Sequence, residues 1–296
     1  MHILKNDSLE IKIKPRGAEL SAINSIKNNK GFMWHADPDV WGGHAPNLFP
    51  VIGCMKDDSY TYDGKTYPMT KHGFVRRNDD FKVISKSETE IIFRISSNDD
   101  LYKMFPFQFE LDIYYKLNDN ILTINHMVRN IDTKTIYFSL GGHPAFTCPL
   151  YENESYEDYI LEFEKAENSQ SYLLNMENGL VTDKTKPAFT TDNTIQLRGD
   201  LFNEDALIFK DLKSRTVTLK HKTKGNILTV KFKDFPYLGI WAKPNAPYVC
   251  IEPWIGIADS ETTNQKIEDK EGIIALDAAS VFNASYSIEI DKRHLV

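Results

Sequence analysis

Along much of the chain, apolar and polar residues alternate one for one. Residues 9–14 read Leu-Glu-Ile-Lys-Ile-Lys, 107–115 read Phe-Gln-Phe-Glu-Leu-Asp-Ile-Tyr-Tyr, and 216–219, 227–232 and 285–290 repeat the pattern. A period of two places every second side chain on one face, so these segments predict half-buried strands of antiparallel sheet. Runs rich in β-branched and aromatic residues at 81–84, 91–95, 121–128, 136–140, 159–163, 237–241 and 249–252 extend the series from end to end. Between them stand Tyr62-Asp63-Gly64-Lys65, Leu117-Asn118-Asp119-Asn120 and Lys222-Thr223-Lys224-Gly225-Asn226, clusters that tolerate the positive φ of tight hairpin turns. Helical periodicity is scarce: 99–105 predicts a turn or two of helix stopped by Pro106, and 262–270 is polar enough for a loop. Strands this numerous, without helices between them, exclude a doubly wound α/β fold and predict an all-β stack of antiparallel sheets. No linker or low-complexity tract interrupts the series, so residues 1–296 are expected to form one domain.

Charge narrows the partners. The chain carries 35 Lys+Arg against 42 Asp+Glu, a net charge of -7, with the lysines scattered among carboxylates. Phosphate backbones need a concentrated basic face, so no nucleic-acid partner is expected. The first eight residues are polar and charged where a secretory signal is apolar, and no stretch approaches the roughly 18 apolar residues of a membrane span. A cytoplasmic protein without a membrane partner is expected. Cys54, Cys148 and Cys250 are odd in number, far apart and outside any CxxC spacing, which predicts small buried thiols and neither a disulfide framework nor a zinc site.

Three segments break the strand pattern with Gly, Pro, His and aromatic residues: 41–54 with its follow-on 71–77, then 141–146, then 249–256. Glycine lets backbone approach a ligand, aromatic rings offer flat apolar faces, and His, Asn, Asp, Glu and Arg pair with hydroxyls; the mixture suits a sugar. Glu252 follows an apolar run and precedes Pro253-Trp254. It reads either as a base desolvated against Trp254 or as a solvated edge carboxylate. His143, between Gly142 and Pro144, reads either as an acid–base group or as a satisfied loop histidine; His72 is a candidate donor to a ring or hydroxyl oxygen. His35, His44, His72 and His143 lack the tight HxH or HxxxE spacing of a metal site, and no GxSxG elbow is present, so no metal and no serine nucleophile is expected. A carboxylate and imidazoles without metal or nucleophile are suited to proton transfer.

The segments Asn47-Leu48-Phe49-Pro50-Val51-Ile52-Gly53, 60–65 continuing to Lys71-His72-Gly73-Phe74-Val75-Arg76, Gly142-His143-Pro144-Ala145-Phe146 and Cys250-Ile251-Glu252-Pro253-Trp254, in this order, resemble the aldose 1-epimerase (galactose mutarotase) family, and within it the LacX-like branch. The resemblance runs from Pro15-Arg16-Gly17-Ala18-Glu19-Leu20 to the final strands. It implies a galactose-mutarotase-like supersandwich and a cofactor-independent isomerase that interconverts the α and β anomers of a hexose, as a monomer or homodimer. Carried onto this sequence, Glu252 matches the general base and His143 the general acid, while His72 matches a second, sugar-binding histidine. Asp205, with Asn203 beside it, takes the place of the sugar-binding aspartate, and Trp254 walls the pocket. The branch usually carries Arg directly after the Pro-x-x-Gly stretch, where this chain has Cys54; Lys56 or Arg76 is the expected substitute. A patch of Lys56, Lys71, Arg76 and Arg77 leaves open a phosphorylated hexose as substrate. The Cys54 departure also leaves open a sugar-binding or regulatory protein without turnover.

Overall fold

A computed structural model describes residues 1–296. Its strands pair antiparallel throughout. One sheet has nine strands in the order Thr194–Gln196, Tyr159–Phe163, Thr216–His221, Gly225–Lys231, Val281–Ile290, Ile121–Asn130, Phe109–Asn118, Glu90–Ser96 and Lys82–Lys86. A second runs Val181–Lys186, Ser171–Leu174, Leu207–Phe209, Tyr237–Trp241, Tyr248–Ile255, Leu140–Gly142 and Asn47–Leu48, with Ala145–Thr147 also paired to Tyr248–Ile255. A three-stranded sheet formed by His2–Lys5, Leu9–Ile13 and Leu20–Ser25, and two two-stranded pairs, complete the molecule.

The alternation in sequence becomes alternation in burial. In Ile121–Asn130 the inward positions are Leu122, Ile124, His126, Val128 and Asn130, and in Glu90–Ser96 they are Ile91, Phe93 and Ile95. Side chains of both large sheets join one apolar cluster of 72 buried residues, and the removal of that apolar surface from water is the main force holding the layers together. The turn clusters behave as their chemistry requires: Asp63 and Gly64 take φ 48° and 70° between Ser59–Tyr62 and Lys65–Pro68, Asp119 takes 51°, and Gly225 takes 87°.

Several boundaries differ from the sequence expectation. The helix at 99–105 is a single turn, Asp99–Tyr102, capped by Asn98, whose side chain accepts from the amides of Asp100 and Leu101. The run 136–140 splits at Ser139, whose amide leaves the sheet to donate to Pro50 O at 2.7 Å. The run 249–252 does not stop at Glu252 but continues through Pro253 as Tyr248–Ile255, all eight residues buried. Proline is tolerated mid-strand because the neighbour on that side is itself broken. Ala145–Thr147 pairs with 248–250 and Leu140–Gly142 with 254–255, leaving no ladder opposite Pro253. Glu252 is therefore an interior residue and not an edge carboxylate.

Candidate active site

That broken ladder creates the site. Gly141 lies opposite Trp254 and Ala145 opposite Cys250, so the middle residue of the stretch, His143, falls opposite Glu252. Residues directly opposite across an antiparallel pair share a face. His143 Nε2 lies 3.2 Å from Glu252 Oε2, with the carboxylate side chain 1% and the imidazole 10% exposed. On the other flank Glu252 faces Gly239, which has no side chain to crowd it. The His143 loop is held from below: its amide donates to Pro46 O at 3.0 Å and the Ala145 amide to His44 O at 2.8 Å. Glu19 Oε1 in turn accepts from the amides of His44 and Ala45 at 2.8 and 3.1 Å. The motif at 41–54 thus shapes the segment that carries His143.

Three rings box in the His143 imidazole. Trp41 stacks on it with centroids 5.0 Å apart, while His72 and Trp241 meet it edge-on at 5.6 and 5.9 Å. His72 sits at φ 64°, pinned to one residue twice: its amide donates to Gly53 O at 2.8 Å, and its Nδ1 accepts from the Gly53 amide at 3.0 Å. An Nδ1 that accepts carries no proton, so the hydrogen of neutral His72 is on Nε2. The next residue must be glycine: a Cβ on Gly73, at φ 71°, would stand 2.1 Å from Phe49 O.

The cavity above this floor measures about 460 Å³. Of the residues expected at the site, it brings together Glu252, His143, His72, Asp205, Asn203, Trp254 and Arg76. Asp205, at φ 66°, uses Oδ1 to accept from the Ala206 amide at 2.8 Å, which orients its carboxylate at the wall. Lys56, expected at the site, lies outside it. Its Nζ turns away to Glu261 O at 3.2 Å, because Asp259 Oδ2 draws its amide inward at 3.0 Å, and it does not line the cavity. Lys71 lines it instead, as do Trp41 and Trp241. The Gly-Gly following Trp41 and the position of Trp241 at a strand end hinted at these walls; the apolar rim from Leu174 and Met176 had no sequence signal. Cys54 also departs from expectation, since it is half-buried and lines the cavity, whereas Cys148 and Cys250 are buried.

Burial dominates the electrostatics. It pushes His143 down to about 3 and His72 well below the ordinary histidine range, with Lys71 and Arg76 adding to both shifts. Glu252 is pushed well above the usual carboxylate range by burial, against the opposing pull of Lys71. Both members of the pair are thus biased toward their uncharged forms, and together they hold one transferable proton. His143 Nδ1, Glu252 Oε2, Trp254 Nε1 and Arg76 Nε are buried and make no hydrogen bond, four such polar atoms in residues that line one cavity. The four histidines weighed for a metal do not converge: His44 Nδ1 contacts Lys14 Nζ at 3.0 Å and His35 packs on Trp34. Donor atoms of His143, Cys250 and Glu252 lie within 4.8 Å of one another, and burial, with the neighbouring Glu252, pushes the Cys250 thiol well above its ordinary range.

A buried Glu–His pair thus lies at the floor of an aromatic-walled cavity in stacked antiparallel sheets, and the chain belongs to the aldose 1-epimerase family, whose model matches residues 1–271. Among relatives, it is 36% identical over 296 residues to the plasmid and chromosomal forms of Protein LacX of Lactococcus lactis subsp. lactis, covering 97% of this chain and 98% of theirs. A galactose mutarotase related enzyme from Lactobacillus acidophilus superposes with TM-score 0.91 at 35% identity, covering 98% of this chain and 97% of that one. A galactose mutarotase-like protein from Lactobacillus casei also gives 0.91, at 31% identity over 98% and 100%. The galactose-mutarotase-like all-β fold is thereby established. No helix is long and apolar enough to cross a membrane.

Proposed function

We propose that the protein is an aldose 1-epimerase that interconverts the anomers of a hexose by general acid–base catalysis at Glu252 and His143. The observation that carries this reading is the direct opposition of the two side chains, 3.2 Å apart and buried beneath a sugar-sized cavity. Opening a hemiacetal removes a proton from the C1 hydroxyl and adds one to the ring oxygen. These two oxygens sit on one carbon, so acceptor and donor must lie side by side. With the charge-separated form of the pair, the Glu252 carboxylate accepts the C1–OH proton and the His143 imidazolium donates to the ring oxygen. The C1–C2 bond then turns in the open aldehyde, and closure returns both protons by the reverse path. One proton is held before and after, so no external acid, base or cofactor enters the balance. His72 donates through Nε2 to a sugar oxygen, and Asp205 and Asn203 accept from or donate to hydroxyls at the wall.

Freshly dissolved α-glucose or α-galactose should equilibrate faster with the protein present, and His143→Gln should slow that exchange by about 10²–10⁴-fold. Equal rates with and without wild-type protein, for every sugar tried, would leave a sugar-binding protein on this fold.

One observation favours a second reading in which the hexose is phosphorylated. Arg76 Nε is buried and makes no hydrogen bond, and Lys71 makes no ion pair, so the cavity of a protein with net charge -7 presents two cations without a salt bridge. Competition of a hexose 6-phosphate against the free hexose, weakened by Lys71→Met and by added salt, discriminates the two. Three free thiols fit a reducing, cytoplasmic setting.

A further inference from the structure

Strand Tyr248–Ile255 carries Glu252 and, two residues on, Trp254. Side chains two apart on a strand share a face, so carboxylate and indole stand side by side on the cavity floor. The indole is 4% exposed and its orientation is fixed by two glycines on flanking strands. A Cβ on Gly239 would meet Trp254 Cη2 at 2.4 Å, and one on Gly141 would meet Trp254 Cδ1 at 2.8 Å. Only bare backbone on both sides lets the ring lie across the sheet. Leu48, Ile52, Ile208 and Ala258 pack about it in a small apolar cluster separate from the main core. Within that apolar setting, Nε1–H is a buried donor that makes no hydrogen bond, and Glu252 Oε2, 3.2 Å from His143 Nε2, is a buried acceptor that makes none either. Leaving either one unmade is expensive, and the two are complementary.

We propose that the Trp254 indole N–H is the positioning donor that sustains Glu252 as a carboxylate, so that the base form is available when a sugar enters. This role rests on Glu252 serving as base in the reaction proposed above. The burial that makes Glu252 a strong base also drives it to hold its proton, and Trp254 opposes that drive along with Lys71. Lys71 is solvent-exposed and its influence falls with salt, whereas the indole is dry and fixed. Trp254 is then more than an apolar wall: it sets the pH below which the site stops working.

Trp254→Phe keeps an aromatic ring in the slot and removes the donor together with part of the ring system, a loss of packing for which Ile208→Val serves as the control. We expect kcat to fall about tenfold with KM changed less than about twofold, and the acid limb of the kcat/KM profile to move upward by about one pH unit. A raised KM with an unmoved acid limb would overturn the proposal and leave Trp254 as a sugar-contacting wall. A second measurement needs no turnover: carbon-13 NMR titration of glutamate-labelled protein, with the Glu252 carboxyl assigned by its loss in Glu252→Gln. In Trp254→Phe the Glu252 titration should shift upward. In Ile208→Val, which loosens the same apolar cluster but keeps the N–H, it should not. An unchanged titration in Trp254→Phe, or an equal shift in both variants, refutes the donor role whether or not the protein proves to be an epimerase.

Discussion

The double attachment of His72 to Gly53 allows its two ring nitrogens to be tested one at a time. Asparagine places Oδ1 where histidine places Nδ1, and glutamine places Nε2 where histidine places Nε2. His72→Asn therefore keeps the acceptor for the Gly53 amide, now 3.0 Å away, and deletes the donor into the cavity. Asparagine also tolerates the φ of 64° better than most residues. His72→Gln keeps a donor near the Nε2 position and abandons the buried Gly53 N–H. An orphaned buried amide costs about 1–3 kcal/mol, and a loss near 2 kcal/mol lowers Tm by roughly 4–8 °C at about 2–4 °C per kcal/mol. A lost neutral hydrogen bond to substrate costs about 1 kcal/mol, or about fivefold in KM. His72→Asn should thus melt within about 2 °C of the parent while KM for the hexose rises about fivefold. His72→Gln should show the larger loss in Tm. Melting curves by circular dichroism and anomer-exchange kinetics on the two variants give both numbers. Equal destabilisation in His72→Asn and His72→Gln, or an unchanged KM in His72→Asn, would refute this division of roles between the two ring nitrogens.

Acid sensitivity follows from buried histidines. His72, His126 and His143 are held uncharged in the fold by burial, His126 at about 4 and His143 at about 3, while the unfolded chain protonates them near 6.5. Their folded values are depressed, so the stability they contribute is present above 6.5 and lost as pH falls. Glu252, raised in the fold, runs the other way: between about 4.5 and its raised value the native state holds one extra proton. Unfolding near pH 5 should therefore take up a net two protons, with stability falling by about 3 kcal/mol per pH unit and half-buried His44 steepening it further. Urea titrations from pH 5 to 6 should show this slope, and Glu252→Gln should raise the uptake by one proton; a flat profile contradicts the burial argument. Lys270 Nζ donates to Asp259 Oδ1 at 2.6 Å with both side chains 2% exposed, and Asp259 Oδ2 also accepts from the Lys56 amide. Lys270→Met should cost about 3–5 kcal/mol by stranding a buried carboxylate, and adding Asp259→Asn, which keeps an acceptor for Lys56, should restore most of it; no recovery in the double variant would show that Lys270 acts through packing.

Most of the nine-stranded sheet was legible because its strands face core on one side and solvent on the other. Ile121–Asn130 and Val281–Ile290 write that asymmetry directly into a period of two. The eight-stranded sheet was harder. Tyr248–Ile255 is buried on both faces and so has no alternation, and Pro253 falsely marked its end. Short strands such as Asn47–Leu48 and Ala145–Thr147 fall below any periodic signal; only their partners define them. Motif chemistry named Glu252, His143 and His72, but the meeting of His143 with Glu252 follows from register, which no local pattern records: the ladder is interrupted at His143 and paired on both sides of it. Lys56 was misplaced for the same reason, since a lysine two residues from the cavity looks equivalent to one that lines it until Asp259 is seen to draw its backbone inward.

In the proposed reaction, Glu252 and His143 exchange a proton with a sugar hemiacetal. Glu252→Gln preserves the shape of the side chain and removes its ability to take that proton. Exchange NMR on the α and β anomers of glucose, galactose and a hexose 6-phosphate, with parent and variant compared at equal concentration, tests this directly. Acceleration by the parent that drops by about 10²–10⁴-fold in Glu252→Gln, with sugar binding retained, is the predicted result. Undiminished anomer exchange in Glu252→Gln would contradict it.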